Sequence, residues 1–237
     1  MEEVSALKVR VKFSKTGAMK FIGHLDIMRY FQKALRRADI DIAFSEGFSP
    51  HMIMSFAAPI GVGVESYGEY FDMELKSWDS SEEMMGRLNN AMVEGMKILS
   101  MVQVPDGKAS KAMSLVAAAD YHVSFREGYI PCDGWQDKFV EFMNQNQITI
   151  VKKTKKSEQE LDIKPLIHQY HIDGDRLFMQ VTTGSAMNLK PDLVMEAFFA
   201  YLRKEWNPLA ILVTRLEVYA ETESGLASLE ALGETIE

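Results

Sequence analysis

The sequence predicts an α+β fold of two tandem ferredoxin-like (β-α-β-β-α-β) halves, antiparallel sheets with helices on one face. Three observations predict it. Alternating segments and helical apolar stripes follow one another as strand, helix, strand, strand, helix, strand, and the order then recurs. A length of 237 residues suits two domains of about 110–120 residues. A small-residue-rich segment, Lys108–Ala118, separates the two runs. The bounds are 1–107 for the N-terminal half, 119–220 for the C-terminal half and 221–237 for an acidic tail. No sequence repeat relates the halves; the likeness lies in the order of elements.

In the first half, Leu7–Phe13 alternates apolar and basic residues, a half-buried strand whose outward face would carry Lys8, Arg10 and Lys12. A helix from Gly23 to Ala38 has Leu25, Met28, Phe31, Leu35 and Ala38 on its apolar stripe. Arg29, Lys33, Arg36 and Arg37 lie opposite as a basic ridge. Ile40–Ala43 reads as a short strand, Met52–Ala57 as extended, and Tyr70–Leu75 as a strand after a glycine-punctuated connection. A helix runs from Ser80, a natural cap, to Met96, and Ile98–Val104 follows as a strand. The second half offers Ala119–Arg126 as strand, Gly134–Asn144 as helix and Ile148–Lys153 as strand. The polar run Thr154–Glu160 is a hairpin excursion or loop, with Leu161–Ile167 returning as strand. Asp173-Gly174-Asp175 turns a hairpin between His168–Ile172 and Arg176–Thr182. A helix opens at Pro191 and reaches Trp206, stopped by Pro208, and Ile211–Tyr219 is the last strand.

Composition narrows the function classes. No apolar run is long enough for a membrane span, and the acidic start is no secretory signal, so a cytoplasmic protein is expected. One cysteine, Cys132, permits neither an internal disulfide nor a cluster held by this chain, and no cofactor or metal is expected. A net charge of −8 argues against indiscriminate coating of nucleic acid. The charge is uneven, however: Ala6–Ile40 carries nine Lys or Arg against two Asp, whereas Leu216–Glu237 has six Glu and no base.

Three segments could carry chemistry. Gly23-His24-Leu25-Asp26 opens the basic helix, where the dipole favours a neutral imidazole able to act as a base; Asp26 is in reach of Arg29 and Tyr30. The alternative is a His24 that caps or packs. Ser45-Glu46-Gly47-Phe48-Ser49-Pro50-His51 is a loop of the kind that carries binding residues. His24, His51 and Tyr30 are the catalytic candidates of a metal-independent acid–base site, provided they converge. Lys152, Lys153, Lys155 and Lys156 crowd a hairpin and could contact phosphates, or be simply solvated.

The same residues resemble the radical SAM-linked protein family. The resemblance rests on His24, Asp26 and Arg29, on Ala34-Leu35-Arg36-Arg37-Ala38, on Ser45, Gly47, Phe48, Pro50 and His51, and on Gly61-Val62-Gly63-Val64-Glu65-Ser66. It continues through Lys152–Lys156, Asp162–Ile167, Asn188–Pro191 and Arg215-Leu216-Glu217-Val218-Tyr219. Met52-Ile53-Met54 departs from it, where a proline or basic residue is expected. The family is a largely uncharacterised bacterial one, found beside or fused to a radical SAM enzyme. The resemblance therefore implies a radical SAM enzyme as partner, in a separate chain that holds the cluster.

The expectation is a non-catalytic accessory protein of such an enzyme, binding RNA or presenting substrate. Its RNA contacts would be Lys12, Lys20, Arg29, Lys33, Arg36, Arg37 and the lysine hairpin, with Phe48 and Tyr30 as stacking groups. Alternatives are a metal-independent endoribonuclease, suggested by the fold-level likeness of duplicated ferredoxin-like halves to RAMP-type proteins, and a structural adaptor.

Overall fold

The structure, a computed structural model, describes residues 6–107, 110–153 and 158–237. It is an α+β protein with five α-helices among those residues. The chain forms two compact units, one from the described residues up to Ala118 together with Arg215–Glu237, the other from Ala119–Thr214.

The first unit runs β1 (Leu7–Lys15), a 3-10 turn (Gly17–Phe21), α1 (His24–Arg37), β2 (Met54–Ala57), β3 (Glu65–Leu75), α2 (Ser81–Asn90), β4 (Met96–Gln103) and a short α3 (Ala112–Leu115). Antiparallel β3 and β4 flank β1, and β2 pairs with the other edge of β3. The register sets Val11 opposite Phe71 and Val9 opposite Met73, so these side chains share one sheet face. Ile27, Phe31, Ala34 and Leu35 of α1 and Met84 and Leu88 of α2 bury against that face. Its centre is aromatic, with Phe13–Phe31 and Phe31–Phe71 ring centroids 4.7 and 4.8 Å apart.

The opposite face of β1 is not solvated, contrary to the expectation for Lys8, Arg10 and Lys12. Arg10 is 1% exposed and forms an ion pair with Asp72 directly across the ladder, Nε to Oδ1 2.8 Å. Its NH1 and NH2 groups also donate to the Leu229 and Ser110 carbonyls, at 3.0 and 2.7 Å. Lys8 is buried too, donating to Gly107 O and Ser110 Oγ. Lys12 Nζ lies 2.6 Å from Glu217 and 2.5 Å from Glu230.

The cover comes from the segment read as an acidic tail. After β10 (Ile211–Thr222) the chain folds back as β11 (Gly225–Ser228) and a 3-10 turn (Leu229–Leu232). Leu229 and Ile236 are buried, and Gln103 and Glu234 exchange backbone hydrogen bonds of 2.8 and 3.0 Å. Its apolar anchors, with Glu230 matched to Lys12, make this segment part of the unit.

Some boundaries differ from the periodicity. Ile40–Phe44 forms only isolated bridges, Ile42 to Leu75 and Phe44 to Met52. α2 begins with a Ser80–Glu83 capping box but stops at Asn90, because the Asn89 amide turns to bond Ile98 N and O and Gly95 takes a left-handed turn (φ 87°) into β4.

The second unit holds β5 (Val116–Phe125) from Ala119 onward, α4 (Trp135–Met143), a β6–β7 hairpin (Thr149–Lys153, Glu158–Asp162), β8 (Ile167–Asp173), β9 (Arg176–Thr182) and α5 (Pro191–Tyr201). Here β5 lies between β9 and the first residues of β10, and β8 pairs antiparallel with β9. Trp135, Phe139, Phe142, Phe198 and Phe199 fill its core, with Phe139 and Phe198 centroids 5.0 Å apart. α5 ends five residues before Trp206: Arg203 is left-handed (φ 57°) and Lys204 N–H bonds Phe199 O, so the helix reverses before Pro208 can act. No helix among the described residues is long and apolar enough to cross a membrane.

Candidate functional site

The densest cluster of unusual groups lies in the first unit, where β1 runs into α1. A register shift between Phe13 and Lys15 ends the regular ladder, and Lys15 is only 3% exposed. Its Nζ donates to Ile22 O at 3.3 Å and forms no ion pair with a described residue. Burial pushes its ammonium below the ordinary lysine value; Glu69 opposes this and Arg215 adds to it. Glu69 is itself buried, ion-paired to buried Arg215, and accepts from Ile60 N–H at 3.4 Å.

Arg215 also donates to Ala58 O at 2.8 Å. Ala58 sits in the left-handed region, φ 44°, which costs a residue with a Cβ roughly 1–2 kcal/mol. The buried pair thus pins a strained turn after β2. His24, the first residue of α1, makes no side-chain cap; its ring meets Phe56 edge-on at 5.2 Å. Lys15, His24 and Glu69 line one small cavity of ≈ 10 Å³, room for about a single water.

Outside this cavity Phe21, Leu25 and Val62 are each more than half exposed. Gly63 N–H donates to Lys20 O at 2.9 Å, bringing residues 61–66 against the turn before α1. Lys20 pairs with Glu65 at 3.0 Å, and Glu65 also accepts from Gly17 N–H. Three motifs distant in sequence, around His24, Glu65 and Arg215, therefore converge here.

Along α1, Arg29, Lys33, Arg36 and Arg37 are exposed. Arg29 pairs with Asp26 at 3.2 Å, and Arg37 donates to Ala91 O at 3.1 Å. Tyr30 is not free for chemistry: its hydroxyl donates to Met92 Sδ and accepts from Val93 N–H. Lys152 and Lys153 fall in β6, and Lys155 and Lys156 lie outside the described residues.

The Ser45–His51 loop, which includes Gly47 in a left-handed turn and Pro50, borders a different cavity of ≈ 320 Å³. His51 Nδ1 is 2.8 Å from Ser45 Oγ, and Phe48 is fully exposed at the loop's crest. His24 and His51 line separate cavities, so the structure does not bring them together as one acid–base pair. No group of three or more His, Cys, Asp or Glu among the described residues is placed to hold a metal ion.

Residues 8–191, well over half of the chain, match a family described as "Uncharacterized protein conserved in bacteria (DUF2344)". The chain belongs to this family. No curated protein matches it. The DUF2344 match extends over both units, from β1 to the start of α5.

Sequence reasoning gave no site role to Lys15, Glu69 or Arg215, the last of these quoted only within a motif. A signal was present for two of them. Glu69 has the parity of Phe71, Met73 and Leu75 in β3, and Arg215 that of Ile211 and Val213 in β10. A charge on the inward parity of an apolar strand marks a buried ion pair.

Proposed function

We propose that this DUF2344 protein is a non-catalytic accessory partner of a radical SAM enzyme, holding single-stranded RNA for it. The observation that carries this reading is α1: Arg29, Lys33, Arg36 and Arg37 stand exposed along one helix, Arg29 in a solvent-exposed pair with Asp26, whereas Lys12 and Lys20 are held in less exposed ion pairs within the first unit. Such a ridge tracks a phosphate backbone without reading sequence. The radical SAM link is supported by the motif resemblance, and one cysteine leaves a cluster to the partner chain. The strand connections support reading both units as ferredoxin-like, the second with the β6–β7 hairpin inserted; RNA binding by duplicated folds of this kind is an analogy only.

The test is fluorescence anisotropy with a labelled single-stranded RNA over a salt series. Three or four phosphate contacts predict a slope of log affinity against log salt of about −2 to −3. Reversing Arg29, Lys33 and Arg37 to Glu should cut affinity at least about tenfold at low salt. Salt-insensitive binding, or binding unchanged by the reversal, overturns the reading.

A second reading, a pure adaptor, is favoured by the exposed Phe21, Leu25 and Val62 on the corner pinned by Glu69 and Arg215. It predicts a complex with the radical SAM enzyme that survives high salt, is broken by Leu25→Asp, and shifts no RNA.

A further inference from the structure

The cavity beside the Ser45–His51 loop plays no part in backbone binding, yet it is equipped for recognition. At ≈ 320 Å³ it falls at the lower end of small-ligand pockets. Glu74 enters it from β3 with its backbone fixed on both sides: Glu74 N–H donates to Ile53 O at 3.2 Å, and Ala43 N–H donates to Glu74 O at 2.7 Å. Its carboxylate makes no hydrogen bond or ion pair to any described residue, unlike the neighbouring Asp72, which is held by Arg10 and Ala112 N–H. The backbone that carries Glu74 is therefore fixed, and its acceptor edge is unused by any described residue.

His51 supplies the complementary donor. Ser45 Oγ accepts the His51 backbone N–H at 3.1 Å and lies 2.8 Å from Nδ1. In the tautomer in which the Ser45 hydroxyl donates to Nδ1, the ring proton sits on Nε2 as a donor. Met52 and Met54 also line the cavity, their side chains packed on the hydrocarbon core. Phe48, 112% exposed on the same loop, is an aromatic face with nothing over it.

An unused carboxylate, an imidazole donor and an uncovered aromatic ring match one nucleobase. Guanine offers N1–H and N2–H to a carboxylate and O6 to a donor. Adenine presents an acceptor at N1, which a carboxylate repels. Uracil and cytosine lack the paired N–H edge. We infer that this cavity reads an unpaired guanine, Glu74 accepting its N1–H and N2–H, His51 donating to O6 and Phe48 stacking on the base. The inference adds base selectivity to the RNA reading and rests on it for the polymer, but the pocket itself can be tested without it.

Two nonameric RNAs, oligoadenylate and the same strand with one central guanosine, would be compared by anisotropy, alongside calorimetry with GMP and AMP. The guanosine strand should bind at least about tenfold tighter, since a charge-assisted bidentate contact is lost with adenine. Glu74→Gln should remove that preference, the guanosine strand then binding no tighter than oligoadenylate. His51→Ala, an exposed loop substitution, should reduce it with the circular dichroism spectrum unaltered. Salt-dependent RNA binding with no preference for guanosine overturns the pocket and spares the ridge. A Glu74-dependent preference for GMP over AMP with no RNA binding upholds the pocket and overturns the ridge. A preference that persists in both Glu74→Gln and His51→Ala overturns the assignment.

Discussion

Alternate residues of β1 build two opposite interiors. Val9, Val11 and Phe13 enter a hydrocarbon core with Phe31, Phe56 and Phe71. Lys8, Arg10 and Lys12 enter an ionic one, closed by Asp72, Glu217 and Glu230. Both faces are shielded from water, but by different means. Helices cover the first at short sequence distance; the second is capped by residues as remote as Leu229, 219 positions from Arg10. Alternation thus tells which side chains share a face, not whether that face meets solvent.

The sharpest way to break this comparison is to remove Asp72. Arg10 would stay buried without its carboxylate, and such a change costs about 3–5 kcal/mol. Phe31→Ala on the hydrocarbon face should cost a similar amount, about 3–5 kcal/mol, through a cavity instead. The two interiors differ in repair. Arg10→Met combined with Asp72→Leu should recover a large part of the Asp72→Ala loss, since no charge is left buried. Recovery should be incomplete, because Leu229 O and Ser110 O lose the donor they share. Urea unfolding of the three variants measures this; a loss below about 1 kcal/mol for Asp72→Ala would show that the ionic face is not sealed.

The same contrast explains what was legible in the sequence. α1 was readable to within a residue at each end, because Phe31, Leu35 and Ala38 of the expected stripe bury at helical spacing and its cations stand outside. Leu25 of that stripe is exposed, however, and Ile27 and Ala34 are buried in addition. The capping residue of α2 was legible from Ser80 and Glu83, but its end was not, since Asn89 terminates it through bonds to Ile98 in the next strand. The ionic face was hidden for a like reason: its partners lie at Asp72, Glu217 and Glu230, and only the fold sets them against Arg10 and Lys12. For the candidate site, the motifs at His24 and Ser45–His51 were visible, but their separation into two cavities depends on β2 running between them.

A milder perturbation is pH, acting on the rim of the ionic face. Burial disfavours the Glu230 carboxylate, but hydrogen bonds from Lys12 and Ser100 outweigh it and hold its pKa below the ordinary value of 4.5. Its contribution is therefore present above that ordinary value and lost as pH falls through the lowered one. Burial likewise works against charged Lys12, and the two glutamates overcome it, raising its pKa above 10.5. That contribution is present below 10.5 and lost as pH climbs through the raised value. Neutral pH lies between the two limits, so the network is complete there. Glu230→Gln should lower stability by about 1 kcal/mol at neutral pH and flatten the acid limb of a melting-temperature profile. An acid limb of unchanged steepness would place the acid sensitivity elsewhere.

The smallest expected effect on stability falls on the exposed side of α1, and there it is the diagnostic one. Lys33 and Arg36 project from a helix whose buried stripe already fixes it, and neither makes an ion pair with a described residue. Lys33→Ala and Arg36→Ala should each change unfolding free energy by no more than about 0.5 kcal/mol. This is the reverse of Arg10, where the same charge is needed to satisfy Asp72 and two carbonyls. If the ridge holds phosphates, the double alanine variant should keep its melting temperature while the salt slope of RNA binding becomes shallower by about 1.4, or 0.7 per lost contact. A variant that lost stability but bound RNA as before would place these cations in the fold, alongside Arg10, and not on a binding surface.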